Sequence, residues 1–391
     1  MIAVEKLDRV VDDSIRYVES KGYRSFDVFD ALTNPLVDRT TRGRPLLRRI
    51  AIQLNAKSPV NFRGLGMKSL VHTKTLSDML SAYSMMFKDS HDESYLLKAR
   101  RMLDALLERR IQTPNGIGWG LNFPYTTRFV DAGIDTPNLY NTVNSLTSIL
   151  DYYEVNPDKS LNSLVASVVS FIHKDLGIVY GRPDLAWISY YPNQKHPTYN
   201  VNALAASSFV KANLLLKEES VDDLLIRALL NTIKEYQNVD GSWYYALSGK
   251  GRWVDGYHSG FILESLSFIL HTFNDRYGLR AAVEKGFEYY RHNLFTSVFA
   301  PCYYPKRQFP LESQNSAQAI QTVANCSRYL NLNETEWLSA LITRVLDRLY
   351  DSRGYFYHKE DRWFRYKHVY FRWSQTPMIV ALLSARGYFQ N

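Results

Sequence analysis

The sequence returns to the same layout at a fixed interval, and this interval limits the possible folds more than any other feature. Asn144, Asn202, Gly260, Gln318 and Thr376 lie at matching places near the starts of apolar segments, and each successive difference is 58 residues. A fixed period of this size is typical of stacked supersecondary units, none of which can bury its apolar face alone. The chain is therefore predicted to be built by repetition.

Each repeat contains two helical patterns. The first is amphipathic, since apolar residues recur at helical spacing and charged residues take the other face. The second carries almost no charge, which predicts a helix buried all round. Outer, amphipathic helices are predicted near 3–21, 91–111, 160–176, 221–237, 279–295 and 334–350. Inner, apolar helices are predicted near 72–87, 139–154, 200–216, 258–274, 313–330 and 373–388.

Six hairpins of alternating outer and inner helices predict an all-α fold, a closed (α/α)6 toroid that forms a single domain over residues 1–391. Outer-to-inner connections are long, whereas inner-to-outer connections are mostly short turns. The long loops should therefore gather at one end and form a mouth, where function is usually placed. The first twenty residues are too charged for a secretory signal, and no apolar run approaches the roughly 20 residues that span a bilayer. A cytoplasmic protein is expected.

The formal net charge of +8 is partly concentrated in the longest loop. Seven basic residues lie there with no acid between the first and the last: Arg39, Arg42, Arg44, Arg48, Arg49, Lys57 and Arg63. One interpretation is a solvated connection whose arginines lie along the surface. The alternatives are contact with an anionic polymer, with lipid phosphates at a membrane surface, or with nucleic acid. Nucleic acid is disfavoured because no helix carries a continuous basic face and no nucleic-acid-binding module is present.

Aromatic residues are abundant in the mouth loops of a chain that contains 28 tyrosines and 7 tryptophans. Their rings combine an apolar face with a polar edge, which suits them to bind sugars. For Trp119 and Trp243 a structural interpretation is favoured, because each follows a glycine that can end a helix and could plug the ring. For Trp253, Tyr257 and Trp373, which lie closer to the inner helices, a position facing the cavity is expected.

Several motifs resemble one family over most of the chain. They are Gly118–Phe123, Thr136–Asn138, the segment 237–266 and Phe371–Gln375, and they look like the VpsJ-type proteins of bacterial polysaccharide-biosynthesis loci. The resemblance implies an (α/α)6 toroid, the architecture of many glycoside hydrolases, polysaccharide lyases and sugar epimerases. It also implies a role in making or tailoring an extracellular or capsular polysaccharide. It supplies no agreed reaction.

Two mechanisms are compatible with the polar residues near the mouth. Paired carboxylates would permit glycoside hydrolysis by a general acid and a base or nucleophile; the candidates are Asp131, Asp135, Asp240, Asp255, Glu264 and Glu312. Asp255 and Glu312 could instead cap the helices that follow them. Alternatively, Tyr257 and His258 could remove a proton next to the carboxylate of a uronate, as in a lyase or an epimerase.

Repeat spacing supports the second mechanism, since Asn200 and His258 are 58 residues apart and could face one cavity. The predicted catalytic residues are Asp255, Tyr257 and His258. The predicted substrate-binding residues are Trp119, Arg128, Tyr199, Asn200, Asp240, Trp243, Arg252, Trp253, Glu312, Arg372 and Trp373, with the arginines neutralising an acidic sugar.

The expected partner is an oligo- or polysaccharide, anionic in character, with possible contact to membrane-associated synthesis machinery and none to nucleic acid. No cofactor or metal is expected, because Cys302, Cys326 and the nine histidines supply no convincing zinc set. Two other functions stay open. A toroid without catalytic activity could bind a glycan or a synthase, and an isoprenoid cyclase or prenyltransferase could use a related toroid.

Overall fold

The computed structural model describes residues 2–58, 66–127, 130–134, 136–192, 197–217, 220–247 and 249–390. The outer helices are α1 (Val4–Ser20), α5 (Glu93–Glu108), α7 (Ser160–Phe171), α9 (Asp223–Glu235), α11 (Arg280–Asn293) and α13 (Thr335–Leu349). The inner helices are α4 (Thr73–Ser90), α6 (Leu139–Val155), α8 (Tyr199–Leu216), α10 (Gly256–Phe273), α12 (Ser313–Leu330) and α14 (Thr376–Phe389). All twelve predicted helices are present, with bounds that shift by a few residues.

The inner helices form a closed ring. Each packs against the next in the order α4, α6, α8, α10, α12 and α14, and α14 then packs against α4. The prediction of an (α/α)6 toroid is confirmed. Since every inner helix returns from an outer one, the six inner helices run in one direction, and the long connections meet at their N-terminal ends. Among the described residues, no helix is both long enough and apolar enough to cross a bilayer.

Burial follows the predicted periodicity. In α9, Leu225, Leu229 and Ile233 are buried while Leu224 faces water. In α12, every residue from Ser313 to Ser327 except Gln321 is buried. Small residues on the inner helices allow close approach: a Cβ on Gly260 would lie 2.6 Å from Oγ1 of Thr322 on the next inner helix. The apolar faces of both helical layers therefore merge into one continuous core.

Short antiparallel strands lie in the loops. They are β1 (Arg24–Ser25), β2 (Leu70–Val71), β3 (Ile111–Gln112), β4 (Ile117–Gly118), β5 (Tyr125–Thr126), β6 (Asp131–Ala132), β7 (Ile178–Arg182), β8 (Leu185–Ile188), β9 (Leu311–Glu312), β10 (Tyr350–Asp351), β11 (Tyr355–Phe356), β12 (Lys359–Glu360) and β13 (Arg365–Tyr366). β12 pairs with both β13 and β9, so the loop between α13 and α14 is tied to the start of α12. The other strands pair in twos.

The longest loop contains two helices that the periodicity analysis missed, α2 (Pro35–Thr41) and α3 (Pro45–Lys57). Each begins with proline, which suits the first turn of a helix, where the missing N–H is not needed. They cover part of the mouth through a small second core of Ala31, Leu32 and Ile52, against which Tyr125 also packs. Arg39 to Lys57 therefore belong largely to folded helices and not to a solvated loop.

Two tryptophans close the ends of outer helices. The indole Nε1 of Trp119 donates to the Leu106 carbonyl at 2.9 Å, and that of Trp243 donates to the Ile233 carbonyl at the same distance. Both side chains are buried in the core. The structural interpretation favoured for these two tryptophans therefore holds, and their assignment as substrate-binding residues is corrected. Trp243 supplies a donor to the Ile233 carbonyl, and Trp119 adds a second donor to the Leu106 carbonyl, which also accepts from the Arg109 backbone N–H.

Replacing Trp119 by Phe is expected to lower the free energy of unfolding by about 2 kcal/mol, because the fully buried indole is replaced by a smaller ring and the Leu106 carbonyl loses one of its two donors. Urea unfolding followed by circular dichroism measures the loss. The control is Trp363→Phe at a tryptophan that is 76% exposed, where a change within about 0.5 kcal/mol is expected. Equal effects at the two sites would contradict the structural role of Trp119.

Candidate functional site

The long loops meet a rim formed by the starts of the inner helices. The residues that precede these helices are His72, Asn138, Thr198, Asp255, Glu312 and Gln375. Because the inner helices run in one direction, their N-termini direct partial positive charge toward the same space. This end of the toroid therefore favours negative charge on a bound molecule.

A cluster of partly buried aromatic rings lies at this end of the toroid, and we call the space that they border the mouth recess. Its members are Tyr125, Tyr140, Tyr190, Tyr245, Trp253, Tyr303 and Trp373. Burial raises the pKa of Tyr190, Tyr245 and Tyr303, and neighbouring tyrosines contribute to the rise. All seven side chains nevertheless keep part of their surface accessible. Tyrosines that raise one another's pKa lie close together, so the rings form one cluster beside the starts of the inner helices.

Asp255 and His258 form a hydrogen-bonded pair at the rim. Asp255 caps α10, with Oδ1 accepting from the His258 backbone N–H at 2.8 Å. Its Oδ2 lies 2.6 Å from His258 Nδ1 and also accepts from Trp253 Nε1 at 2.9 Å. The predicted capping role is present, and the same carboxylate also binds the His258 imidazole, a pairing that was not predicted from the sequence. Asp255 thus holds the imidazole with Nδ1 occupied, which leaves Nε2 to face outward.

The Tyr245 ring also holds the imidazole, and Trp253 in turn packs against Tyr245. Tyr245 stacks on Trp253 with centroids 4.6 Å apart and meets His258 edge-on at 4.6 Å. The His258 side chain keeps 21% of its surface exposed, whereas the Asp255 side chain has none. No described residue bonds to His258 Nε2 in the structure. His258 is therefore an oriented base or acid that can reach a bound molecule, and Asp255 is a positioning residue.

Glu312 is a second ionisable group at the rim. Burial raises its pKa to about 7, opposed by Lys359 and reinforced by the Asp255 charge. Its Oε2 is buried without a hydrogen-bond partner among the described residues. A carboxyl group with this pKa retains its proton over much of the neutral range and can donate it. Glu312 does not cap α12 through its side chain, so the capping alternative is wrong.

Other polar side chains near the rim also lack partners. Both polar atoms of the Asn315 amide, Ser259 Oγ and Asn200 Oδ1 are buried and unbonded within the described part of the chain. Native proteins satisfy most buried polar atoms, so a group of exceptions needs an explanation. Polar atoms left unpaired on neighbouring inner helices are consistent with a site that binds water or a polar molecule.

Glu312 predicts a pH dependence of stability. The pKa of Glu312 is 4.5 in the unfolded chain and about 7 in the folded protein. The stability that the protonated side chain contributes is therefore fully present below pH 4.5 and is lost as the pH rises toward 7. Relative to Glu312→Gln, the native protein should therefore lose on the order of 3 kcal/mol between about pH 4 and pH 8. Urea unfolding across this range measures the difference. Glu284→Gln, at an exposed side chain, is the control, and parallel profiles for Glu312→Gln and the native protein would contradict the prediction.

Arg372 does not serve as the free cation that was predicted. Its Nε and one terminal nitrogen donate to Asp27 at 2.6 and 2.8 Å, and both side chains are buried. Burial alone would raise the Asp27 pKa, but Arg372 outweighs it and lowers that pKa below its ordinary value. Trp373 Nε1 donates to the same carboxylate at 3.1 Å. The pair therefore positions Trp373 on the recess wall instead of neutralising a sugar.

Tyr257 lies beneath the recess at its boundary with a second cavity. Its hydroxyl group lies 3.1 Å from that of Tyr140 and accepts from Gln314 Nε2 at 2.8 Å. Burial raises the pKa of Tyr257 well above its ordinary value. With its hydroxyl bonded on two sides, Tyr257 is better suited to hold the boundary than to act as a base, so the predicted catalytic role is revised.

The second cavity has a volume of about 690 Å³ and follows the toroid axis between the inner helices. Buried Lys74, Asp78 and Tyr257 line it near the N-terminal ends of the inner helices, and exposed Lys88 lines it toward their C-terminal ends. Its ionisable groups are already paired. Glu264 accepts from Gln318, Gln321 and Asn325, Lys74 binds Asp78, and Lys211 binds Asp151 and Glu154. The mouth recess is therefore the better candidate for chemistry.

The remaining predicted residues are dispersed. Tyr199 is buried and stacks on Tyr236, so it belongs to the core. Asp240 accepts from the Ser242 backbone N–H at 3.0 Å in an exposed turn. Asp240 and Arg252 line a shallow outer groove that Trp253 also reaches. The roles predicted for Tyr199 and Asp240 in the cavity are corrected, and Arg128 and Asp135 lie outside the described residues.

Five residues of the recess were not assigned to the site from sequence, although Tyr125, Tyr190, Tyr245 and Tyr303 were placed among the aromatic residues of the mouth loops. Tyr125, Tyr140, Tyr190, Tyr245 and Tyr303 lie in or beside loops whose conformations have no simple periodicity. The one usable signal was that Tyr140 precedes Tyr257 by 117 residues, close to two repeats. Within the described residues, no group of three or more His, Cys, Asp or Glu side chains could hold a metal ion.

Solved structures share this architecture. A sugar epimerase from a ruminal bacterium matches with a TM-score of 0.62 at 12% identity, over 82% of this chain and 88% of the other. A possible member of the GH105 family from Salmonella enterica matches with a TM-score of 0.63 at 10% identity, over 100% and 95%. A glycosyl hydrolase of family 88 from Bacteroides vulgatus matches with a TM-score of 0.61 at 9% identity, over 99% of each chain.

The chain shares the (α/α)6 toroid fold of these structures. This agrees with the toroid that the resemblance to VpsJ-type proteins implied. No protein-family model matches the sequence, and no curated protein sequence matches it. Because the same fold can support different functions, the activity has to be argued from the recess itself.

Proposed function

We propose that the protein is an enzyme that modifies a glycan by proton transfer in the mouth recess, as an epimerase or a lyase does. The observation that carries this proposal is the Asp255–His258 pair, in which an oriented imidazole presents Nε2 beside aromatic rings. Aromatic walls suit the C–H faces of sugar rings. A sugar epimerase and a glycosyl hydrolase share this fold, which supports a carbohydrate substrate for this chain.

The proposed reaction begins with removal of a proton from a carbon next to a carbonyl or carboxylate group. The C–H electron pair moves into an enolate, and the proton moves to His258 Nε2. In epimerisation, the protonated Glu312 returns a proton to the opposite face of the carbon. In elimination, the bond to the leaving oxygen breaks instead, and that oxygen takes the proton. The converging helix N-termini would stabilise the enolate charge.

Hydrolysis by Asp255 and Glu312 is less well supported. Asp255 is fully buried and accepts hydrogen bonds from His258 and Trp253 on both oxygens. A carboxylate occupied in this way is poorly placed to attack a sugar or activate water. An isoprenoid substrate is disfavoured by the phenols and ionisable groups of the recess, which are costly to leave unpaired against an apolar molecule.

We further propose that the glycan is acidic and belongs to polysaccharide biosynthesis. The helix N-termini at the rim favour an anion, and Arg252 is exposed beside the aromatic pair Trp253 and Tyr245. The VpsJ-type resemblance supports the pathway. A uronate would also supply the carboxylate that makes the neighbouring proton acidic.

The test is incubation of the purified protein in D2O with a panel of neutral and uronate-containing oligosaccharides, followed by proton NMR. Proton transfer to and from carbon predicts loss of one C–H signal through deuterium incorporation, with either an epimer or an unsaturated sugar as product. New reducing ends without deuterium on carbon would identify a hydrolase and overturn this mechanism. Binding without any reaction across the panel would favour a glycan-binding toroid.

A further inference from the structure

Helix α3 presents an apolar face to solvent. Leu46, Ile50 and Leu54 are 63%, 47% and 68% exposed. They are four residues apart, so they lie in one row along the helix. Leu47 beside them and Leu36 on α2 are exposed as well. An exposed row of large apolar side chains on a folded helix marks an interaction surface.

The opposite face of α3 is firmly held, so the apolar row cannot turn inward. Arg48, Ile52 and Asn55 are buried on that face. Arg48 Nε donates to Thr126 Oγ1 at 3.1 Å, and the Asn55 amide donates to the Val28 carbonyl and to Asp30 at 3.2 and 3.1 Å. The outward direction of Leu46, Ile50 and Leu54 is therefore set by the fold.

Basic side chains surround the apolar row. Arg39, Arg44, Arg49 and Lys57 form no ion pair with any residue in the described part of the chain. At ~100° per residue, Arg49 and Lys57 lie on the same side of α3 as Leu46 and Ile50. Arg42 and Arg48 are the exceptions, because Asp38 pairs with both. The surface therefore joins exposed apolar groups to uncompensated positive charge.

A second apolar element lies at the same end of the toroid. Trp363 and Phe364, at the tip of the β12–β13 hairpin, are 76% and 58% exposed, and Arg362 lies against Trp363. The hairpin belongs to the loop between α13 and α14. This loop is next in the ring to the loop between α1 and α4, which contains α3. Lys57 of α3 is close enough to contribute to the lowered pKa of Lys359 on β12. Tryptophan is enriched where proteins meet the interface of a bilayer.

We propose that α3, together with the Trp363–Phe364 tip, docks the protein on an anionic phospholipid bilayer. Leucine and isoleucine would enter the boundary between head groups and acyl chains, while Arg39, Arg44, Arg49 and Lys57 contact lipid phosphates. A second copy of the chain fits the surface less well, because a two-fold interface would bring the same basic residues face to face. Docking in this way turns the mouth toward the bilayer.

The test is sedimentation of the purified full chain with vesicles of phosphatidylcholine alone or of equal parts phosphatidylcholine and phosphatidylglycerol. We expect binding to the anionic vesicles only, weakening as sodium chloride is added. The double variant Ile50→Glu with Leu54→Glu should weaken binding roughly tenfold or more. Arg44→Ala should weaken it about fivefold, the effect expected for one basic residue near an anionic surface.

Leu224→Glu is the matched control, since Leu224 is 71% exposed on the outer helix α9, and it should bind as the native chain does. Circular dichroism confirms that each variant is folded. Equal binding to neutral and anionic vesicles, or unchanged binding by the Ile50 and Leu54 variant, would overturn the proposal. A dimer in analytical ultracentrifugation that this variant dissociates, without vesicle binding by the native chain, would identify a self-association surface instead.

Discussion

Replacing His258 by Gln is expected to lower kcat by a factor of roughly 10² to 10⁴, the usual contribution of one general acid or base. The substituted amide occupies a similar volume beside Tyr245 and Asp255 but cannot accept a proton from carbon at neutral pH. The loss should appear in kcat more than in KM, because the recess walls remain in place. The measurement is the rate of deuterium incorporation into whichever oligosaccharide reacts in D2O.

The matched control is His271→Gln, the same substitution on the same helix. His271 lies near the C-terminal end of α10, is exposed, and contacts the Tyr329 carbonyl through Nδ1 at 3.2 Å. It should leave kcat unchanged. If His258→Gln retained activity within about threefold of the native enzyme, the pair could not supply the 10²-fold or greater effect of an acid–base group.

Replacing Asp27 by Asn is expected to lower the free energy of unfolding by about 3–5 kcal/mol, because Arg372 would keep a buried charge without a counter-charge. Two short hydrogen bonds to Arg372 and one to Trp373 would also be weakened. Urea unfolding followed by circular dichroism measures the loss. The pKa of Asp27 is lower in the folded protein than in the unfolded chain. The stability that the Asp27 carboxylate contributes should therefore be present at neutral pH and decline in acid as the carboxylate becomes protonated.

Asp104→Asn is the control for this prediction. Asp104 forms an ion pair with Arg100 in which both side chains are about half exposed, and such pairs contribute roughly 0.2–1 kcal/mol. The double variant Asp27→Leu with Arg372→Met should recover the part of the loss that comes from the unpaired charge, but not the hydrogen bonds that Asp27 accepts from the Phe29 backbone N–H and Trp373 Nε1. A cost at Asp27 no larger than that at Asp104 would show that the buried charge is compensated in another way.

The toroid was predictable because its signals are local. Helical periodicity and the 58-residue interval can be read from short stretches of chain, and they placed all twelve ring helices within a few residues. The exceptions have physical reasons. Helices α2 and α3 carry apolar residues on both faces, so their amphipathic pattern is weak. Trp119 and Trp243 are a different case, because the sequence around a tryptophan does not show whether its side chain packs at a helix end or contacts a sugar.

The site was only partly predictable. Asp255 and His258 were both named as catalytic candidates, and the capping role of Asp255 followed from its position at a helix start. Their pairing through the imidazole was not predicted. Arg372 could not be assigned, because its partner Asp27 lies 345 residues away. Long-range pairing decides whether an arginine is a free cation or half of a buried ion pair.

By itself, the sequence determined the repeat, the direction of the helices and therefore the end of the toroid where the loops meet. The tertiary structure alone decided which loop side chains face the mouth recess, which carboxyl group keeps its proton, and which face of α3 remains in solvent. The physical reason is that periodicity depends on neighbours along the chain, whereas burial and charge pairing depend on neighbours in space. Glu312 illustrates this, since burial among distant residues raises its pKa to about 7.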